Sequence, residues 1–114
     1  MKKNIDEYKP GQLLEYNGTW TFVLSPEDVD ELSFLFLEEW GYEPNGHSWG
    51  AVIETVVNMH TPELVPLLTF DAEGDECWVR CSHPEPLKTI AQLLRKFALH
   101  PEELRRAIQQ TEPD

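Results

Sequence analysis

The sequence predicts an α+β fold: a single domain in which two β-hairpins form a small antiparallel sheet packed against about four helices. Two pairs of short apolar segments each enclose a turn sequence, and helical periodicity occupies the segments between and after them. The strand, helix, strand alternation that is typical of a parallel sheet is absent. The 114 residues, of which 40% are hydrophobic, suit one core. We assign residues 1–114 to one domain and expect residues 1–8 and 110–114 to fray.

The first hairpin is predicted around Asn17 and Gly18, because this pair tolerates the positive φ angles of a type I′ turn. A helix from Pro26 to Trp40 should follow, with Ser25 as its N-cap and Gly41 as its end. Apolar residues recur every three or four positions along this helix, and its carboxylates occupy much of the remainder. We expect those carboxylates to stay in solvent.

A second helix is predicted from a cap at Ser48 to His60, with a short extra helical turn after it. The second hairpin should comprise strands over residues 67–70 and 76–81, joined by a five-residue loop over residues 71–75. Prolines then separate this hairpin from two further helices, the last of which starts at about Pro101.

Charge is distributed unevenly along the chain. The formal net charge is −12, and the 70 residues from Pro10 to Val79 contain fourteen Asp and Glu residues but no Lys or Arg. A field of one sign repels phosphate groups and anionic lipids and attracts cationic partners. We therefore expect neither nucleic acid nor a membrane as a partner; the alternative is that the acidity serves solubility alone. No apolar run suggests a signal peptide or a membrane span, so we expect a cytoplasmic protein.

The cysteines suit a core better than a metal site. Cys77 and Cys81 lie in one predicted strand, where their Cα atoms would be on the order of 13 Å apart. A disulfide needs Cα atoms within roughly 7 Å, so we expect reduced thiols. His47, His60 and His83 are further possible ligands, but zinc ligands generally come as paired cysteines on a turn. We predict no metal and no cofactor.

We assign no residue to catalysis. A phosphate-binding glycine loop and a nucleophile elbow are absent. Asp71 and Glu73 form one carboxylate pair among many, and with Asp75 they still lack the spacing of a calcium loop. His60 suits a structural role at the negative end of its helix. A thiol nucleophile assisted by His60 or His83 is the enzymatic alternative.

Two segments resemble a known family. Residues 40–49, with the sequence WGYEPNGHSW, are similar to the segment between the first two helices of the immunity protein 51 family of bacterial polymorphic toxin systems. Residues 70–74, an aromatic strand through Trp78 and Ser82, and a Leu- and Ile-rich helix follow in that family's order and spacing. The resemblance covers residues 28–99. It departs from the family at His47, where an aromatic residue is expected, and in the helix after Pro101.

The resemblance implies a small, non-catalytic cytoplasmic protein that binds and neutralises a cognate toxin domain. Because the charge favours a cationic partner, we expect a basic, nuclease-like toxin that is blocked by steric and electrostatic occlusion. Aromatic anchors supply most interface energy, and acids around them mainly set the association rate. We therefore predict toxin-binding residues where acids lie beside aromatics: Tyr42, Glu43, Asn45, Asp71, Glu73, Asp75, Glu76 and Trp78.

Several alternatives stay open. Trp78 lies on the strand face opposite Cys77 and is either packed under a helix or partly exposed at an interface. Asn45 and Gly46 also suit a rigid turn that binds nothing. The alternative functions are an acidic adaptor for a housekeeping basic protein and a small hydrolase. The sequence predicts neither the oligomeric state nor the strand order.

Overall fold

The structure is a computed structural model that describes residues 5–112. It confirms the α+β fold, with a four-stranded antiparallel sheet and helices in one globule. The strands are β1 (Gln12–Tyr16), β2 (Thr19–Leu24), β3 (Thr69–Glu73) and β4 (Glu76–Cys81). The α-helices are α1 (Ser33–Trp40), α2 (Gly46–His60), α3 (Glu85–Leu99) and α4 (Pro101–Gln110), and three 3₁₀ segments span Ile5–Tyr8, Pro26–Leu32 and Pro62–Leu67.

The two hairpins lie side by side in the strand order β1-β2-β4-β3. All neighbouring strands are antiparallel, and β2 pairs with β4 so that Phe22 is opposite Val79 and Thr21 is opposite Arg80. The long-range pairing of β2 with β4 therefore joins the hairpins into one sheet, with β1 and β3 at its edges.

The sheet has one covered face and one open face. The side chains of Phe22, Leu24, Cys77 and Val79 point to the covered face, are fully buried and share one core cluster with residues of all four α-helices. Val23, on the other face, is also buried, but it is not part of this cluster. The helices thus pack on one face of the sheet, which is the segregation expected of an α+β fold.

Trp49 of α2 is the largest fully buried side chain, and its ring lies 4.8 Å from that of Phe36 in α1. This contact packs the first two helices together, and α4 completes the layer by packing against α1, α2 and α3. Among residues 5–112, no helix is both long and apolar enough to cross a membrane.

The prediction of one helix from Pro26 to Trp40 is wrong, because Pro26–Leu32 is a 3₁₀ segment and α1 begins only at Ser33. Val29 has non-helical angles, with φ −131° and ψ 30°. Val29 and Leu32 are both buried, and three residues per 3₁₀ turn place them on the same side. Gly41 ends α1 as expected, in the left-handed conformation with φ 85°.

One predicted cap is confirmed in position only, and the other is wrong. Ser25 occupies the N-cap position before Pro26, but its side chain makes no capping hydrogen bond; its hydroxyl donates to Glu76 instead. The N-cap of α2 is Asn45, whose Oδ1 accepts from the Ser48 N–H at 2.9 Å, while the Ser48 Oγ accepts from the Asn45 N–H at 3.1 Å. This reciprocal capping box satisfies two backbone donors, so it starts the helix two residues before Ser48.

The second hairpin is tighter than predicted. Gly74 and Asp75 form a two-residue turn, and the residues expected in a five-residue loop, Asp71 to Glu73, continue β3. Gly74 has φ 62°, as the first turn position of a type II′ hairpin requires. In the first hairpin, Asn17 at φ 52° and Gly18 at φ 81° match the predicted type I′ turn.

The terminal stretches for which we expected fraying lie partly within the described residues. Tyr8 is buried against the core, and Thr111 is buried with its hydroxyl donating to the Ala107 carbonyl at 2.8 Å. Residues 1–4 and 113–114 lie outside the described residues.

Candidate functional site

A groove lined by carboxylates forms where three chain segments meet. These segments are the start of the second 3₁₀ segment, the connection between α1 and α2, and the turn of the second hairpin. The groove has a volume of about 530 Å³. We call it the acidic groove; its lining residues are Ser25, Pro26, Glu27, Asp30, Ser33, Glu43, Pro44, Asp75 and Glu76.

A close backbone contact holds two of these segments together. A Cβ atom added at Gly46, the first residue of α2, would lie 2.3 Å from the carbonyl oxygen of Glu76. Only glycine therefore lets the helix terminus approach the hairpin turn this closely. This approach places Glu43, just before the helix, beside Asp75 and Glu76.

Glu76 is the one half-buried carboxylate of the groove, and both of its oxygens accept hydrogen bonds. The Ser25 hydroxyl donates to Oε2 at 3.0 Å, and the Trp78 indole N–H donates to Oε1 at 3.2 Å. Glu76 is therefore fixed in position, and it links the groove to a tryptophan on the open face of the sheet.

The other four groove carboxylates are exposed: Glu27, Asp30, Glu43 and Asp75. Within residues 5–112, none of them forms an ion pair, and the ion pairs of Arg80, Lys88, Lys96 and Arg105 are made with other carboxylates. Arg105 of α4, for example, binds Glu38 at 2.8 Å and Glu39 at 2.9 Å, which raises its pKa through hydrogen bonds to these carboxylates. The groove consequently presents uncompensated negative charge to solvent.

A second concave surface lies on the open face of the sheet. It has a volume of about 570 Å³, and we call it the sheet hollow. Tyr16 is 79% exposed and Leu14 is 49% exposed, so both present apolar surface at the edge of the sheet. The hollow is lined by Leu14, Glu15, Tyr16, Asn17, Thr19, Thr21, Trp78 and Arg80.

Arg80 covers part of Trp78 and is itself held in place. Its guanidinium carbon lies 5.2 Å from the centre of the Trp78 ring, within the range of a cation–π interaction. Its Nη1 donates to Oδ2 of Asp71 at 3.0 Å. This hydrogen bond from Arg80 is the largest cause of the lowered pKa of Asp71. Trp78 is thus half-buried on the open face, not packed under a helix of the core.

The structure brings together some of the residues predicted for toxin binding and separates others. Glu43, Asp75 and Glu76 meet in the acidic groove. Asp71 and Trp78 are directly opposite each other on the open face, and exposed Glu73 is opposite Glu76 at the end of the hairpin.

Tyr42 and Asn45 have other local roles. The Tyr42 ring is 37% exposed and packs 5.9 Å from that of Trp40, outside the groove lining. Asn45 is exposed, but its side chain caps α2.

Residues on both surfaces are missing from the prediction made from the sequence. For Glu27 and Asp30 the sequence predicts only solvated helix residues, because their approach to Glu43 depends on tertiary contacts. Leu14 and Tyr16 could have been found: alternation along β1 places both on the face opposite Leu13, which packs against the core.

The groups of the enzymatic alternative do not form a reactive cluster on either surface. Cys77 is fully buried, and desolvation raises its pKa to about 12, so the thiol is neutral. Cys81 is also buried, and exposed His60 packs its ring 5.8 Å from that of Phe97. Within the described part of the chain, no three His, Cys, Asp or Glu side chains are placed to hold a metal ion.

The comparisons with known proteins give one match. No curated protein and no solved structure matches the chain significantly. The model of the family described as immunity protein 51 matches residues 12–113, which includes both hairpins and all four α-helices. The chain therefore belongs to the immunity protein 51 family, which supports an immunity function with a toxin as the partner.

Proposed function

We propose that this protein neutralises a cognate bacterial toxin domain by binding it through the acidic groove and covering its active cleft. The observation that carries this proposal is the meeting of five carboxylates in one groove. Among residues 5–112 none of the five has an ion-pair partner, and four of them are exposed. Family membership supports a toxin as the partner. The charge of the groove supports a basic surface on that toxin.

The acidic groove should act first on the rate at which the toxin associates. Uncompensated carboxylates in a concave surface attract a cationic protein and raise its association rate, by roughly 10-fold to 1000-fold at low salt. Added salt screens this attraction, so the association rate should fall steeply as ionic strength rises. A toxin that binds nucleic acid carries a basic cleft, and the groove would compete with nucleic acid for that cleft.

Inhibition by occlusion requires no chemistry from this protein. Its buried thiols have no part in the mechanism, and the acidic groove binds by charge and shape. An adaptor for a housekeeping basic protein would bind through the same charge but to a different partner. The identity of the bound protein therefore distinguishes the adaptor function from toxin neutralisation. A hydrolase, in contrast, would need Cys77, Cys81 or His60.

The first test is growth rescue. The C-terminal toxin domain encoded by the gene beside this one is expressed in a sensitive cell, with and without this protein, and the pair is tested for co-purification. We expect rescue and a stable complex. The proposal fails if the toxin domain kills equally in both cells and no complex forms.

The second test locates the binding surface by comparing two variants with the same change in net charge. The groove variant carries Glu27→Gln, Asp30→Asn, Glu43→Gln and Asp75→Asn. The control variant carries four substitutions at exposed carboxylates outside the groove: Glu54→Gln, Glu63→Gln, Glu85→Gln and Glu112→Gln. We expect the groove variant to lose about 10-fold or more in association rate and the control to lose far less. Equal losses would show that net charge matters and the groove does not.

A further inference from the structure

We infer that the sheet hollow is a second part of the toxin interface, in which an apolar side chain of the toxin packs between Leu14, Tyr16 and Trp78. This inference rests on the proposed function, because it assigns a further surface to the same partner. The partner it specifies is a basic polypeptide surface that carries an exposed apolar side chain.

Tyr16 and Leu14 contribute little to the core. Tyr16 is 79% exposed, and neither side chain belongs to the core cluster or to the residues packed against it. Both point to the open face of an edge strand, where a partner can reach them. Tyrosine and tryptophan are enriched among the residues that dominate interface energies, since each offers a large rigid surface with one polar group.

The floor of the hollow is ordered before any partner arrives. The Trp78 indole donates to Glu76, and its ring is covered by Arg80, which is held in turn by Asp71. A side chain that enters the hollow therefore meets a fixed aromatic surface, and little side-chain entropy is lost on binding.

Charge complementarity selects the partner. Asp71 offsets the charge of Arg80 at 3.0 Å, and Glu76 belongs to the acidic groove while it also binds Trp78. A protein that fills the hollow thus lies beside the acidic groove. A basic toxin is attracted there, whereas a second copy of this chain would bring two acidic surfaces together and be repelled.

The test measures binding of the same toxin domain to Tyr16→Ala and to the double variant Leu14→Ala, Tyr16→Ala. Leu99→Ala is the matched control, because Leu99 is 78% exposed but lies at the end of α3, on the covered side of the sheet. We expect the double variant to raise Kd by about 10-fold or more through faster dissociation. Tyr16→Phe should retain most of the affinity, and Leu99→Ala all of it. Thermal unfolding of each variant verifies that the fold is kept.

The outcomes separate this inference from the proposed function. If the groove variant weakens binding but the double variant does not, the sheet hollow is outside the interface and the proposed function stands. If wild-type protein binds no toxin domain, both the proposed function and the inference about the sheet hollow fail. If sedimentation shows a dimer that Tyr16→Ala dissociates, with toxin binding unchanged, the hollow binds a second copy and the inference is overturned.

Discussion

The indole N–H of Trp78 donates to Oε1 of Glu76 at 3.2 Å, while the Ser25 hydroxyl donates to the other oxygen of that carboxylate at 3.0 Å. One side chain thereby joins the open face of the sheet to the acidic groove. A substitution of Glu76 should therefore affect both surfaces. Replacing it with alanine removes the hydrogen bonds and the charge together, whereas replacing it with glutamine removes only the charge.

Glu76→Ala should lower the free energy of unfolding by about 1–2 kcal/mol, because two hydrogen bonds are lost and the half-buried indole N–H is left without its acceptor. Glu76→Gln keeps an oxygen for Trp78 and offers an N–H to the Ser25 oxygen, so its stability should stay close to that of wild type. Chemical denaturation measures both changes. Equal stability of the alanine variant and wild type would contradict the structural role of Glu76.

Gly46→Ala should destabilise the protein by about 1–3 kcal/mol, because its Cβ would lie 2.3 Å from the Glu76 carbonyl oxygen and would push α2 away from the hairpin turn. The same displacement opens the acidic groove, so toxin association should slow as well.

Gly50→Ala is the control within the same helix. Its Cβ would meet the Cys77 sulfur at 3.5 Å, an ordinary contact, and alanine favours a helix interior over glycine by about 1 kcal/mol. We expect this variant to be as stable as wild type or more so. Thermal and chemical denaturation of the pair would contradict the close-approach argument if Gly46→Ala were the more stable of the two.

The covered face of the sheet could be predicted from the sequence, but the acidic groove could not. The covered face of the sheet follows from the sequence, because side chains of a strand alternate: Trp20, Phe22 and Leu24 share one face of β2, and Cys77, Val79 and Cys81 share one face of β4. The groove could not be predicted, since Glu27, Glu43 and Asp75 are distant in sequence. They meet through two tertiary contacts, that of Gly46 with the Glu76 carbonyl and the hydrogen bond from Ser25 to Glu76. The pairing of β2 with β4 could not be predicted either, because it too joins segments that are far apart in the sequence.

The second hairpin differs from the prediction for a local reason. Asp and Glu are poor strand formers, so the sequence around Asp71 and Glu73 favours a loop. On the open face of the sheet, however, their carboxylates reach solvent, and the pairing with Trp78 and Glu76 costs no burial of charge. Polar strand residues next to a Gly-Asp pair are better interpreted as the solvent side of a tight hairpin.

Asn45→Ala should lower the free energy of unfolding by about 1 kcal/mol, since the N-cap hydrogen bond to the Ser48 N–H is lost. Asn45→Ser supplies a neutral cap acceptor and should restore stability. If Asn45 also contacts the toxin, as predicted, then both variants should change toxin affinity. If it serves only as a cap, the affinity of the serine variant should match wild type, which binding measurements on the two folded variants would show.

The ion pair of Asp71 with Arg80 should make stability depend on pH at the acidic end. The Arg80 hydrogen bond lowers the pKa of Asp71 in the folded protein below its ordinary value of 3.8. Ionised Asp71 therefore stabilises the folded protein fully above pH 3.8. This stabilisation is lost as the pH falls through the pKa that Asp71 has in the folded protein. Asp71→Asn should be less stable than wild type at neutral pH, and the difference should shrink below pH 3.8. Denaturant midpoints measured across this range would refute the argument if the difference stayed constant.

Cys77 should make stability depend on pH at the alkaline end. Burial raises its pKa from 9.0 to about 12 in the folded protein, so the neutral thiol is favoured by folding. The contribution of the neutral Cys77 thiol to the free energy of unfolding is fully present below pH 9.0 and is lost as the pH rises toward about 12. Cys77→Ala should cost about 1 kcal/mol near neutral pH through the small cavity it leaves, and its stability should fall less steeply than that of wild type above pH 9.0.

The same burial predicts that Cys77 does not react with alkylating reagents in the folded protein, because the thiolate is the reactive form and the sulfur is fully enclosed. In denaturant both cysteines should react at the rate of free thiols. Mass spectrometry of briefly alkylated samples distinguishes the two states. If Cys77 in the folded protein were alkylated as fast as in denaturant, or if Cys77→Ala remained folded but lost growth rescue, the enzymatic alternative would regain support. We expect instead that the folded thiol is protected and that Cys77→Ala still neutralises the toxin.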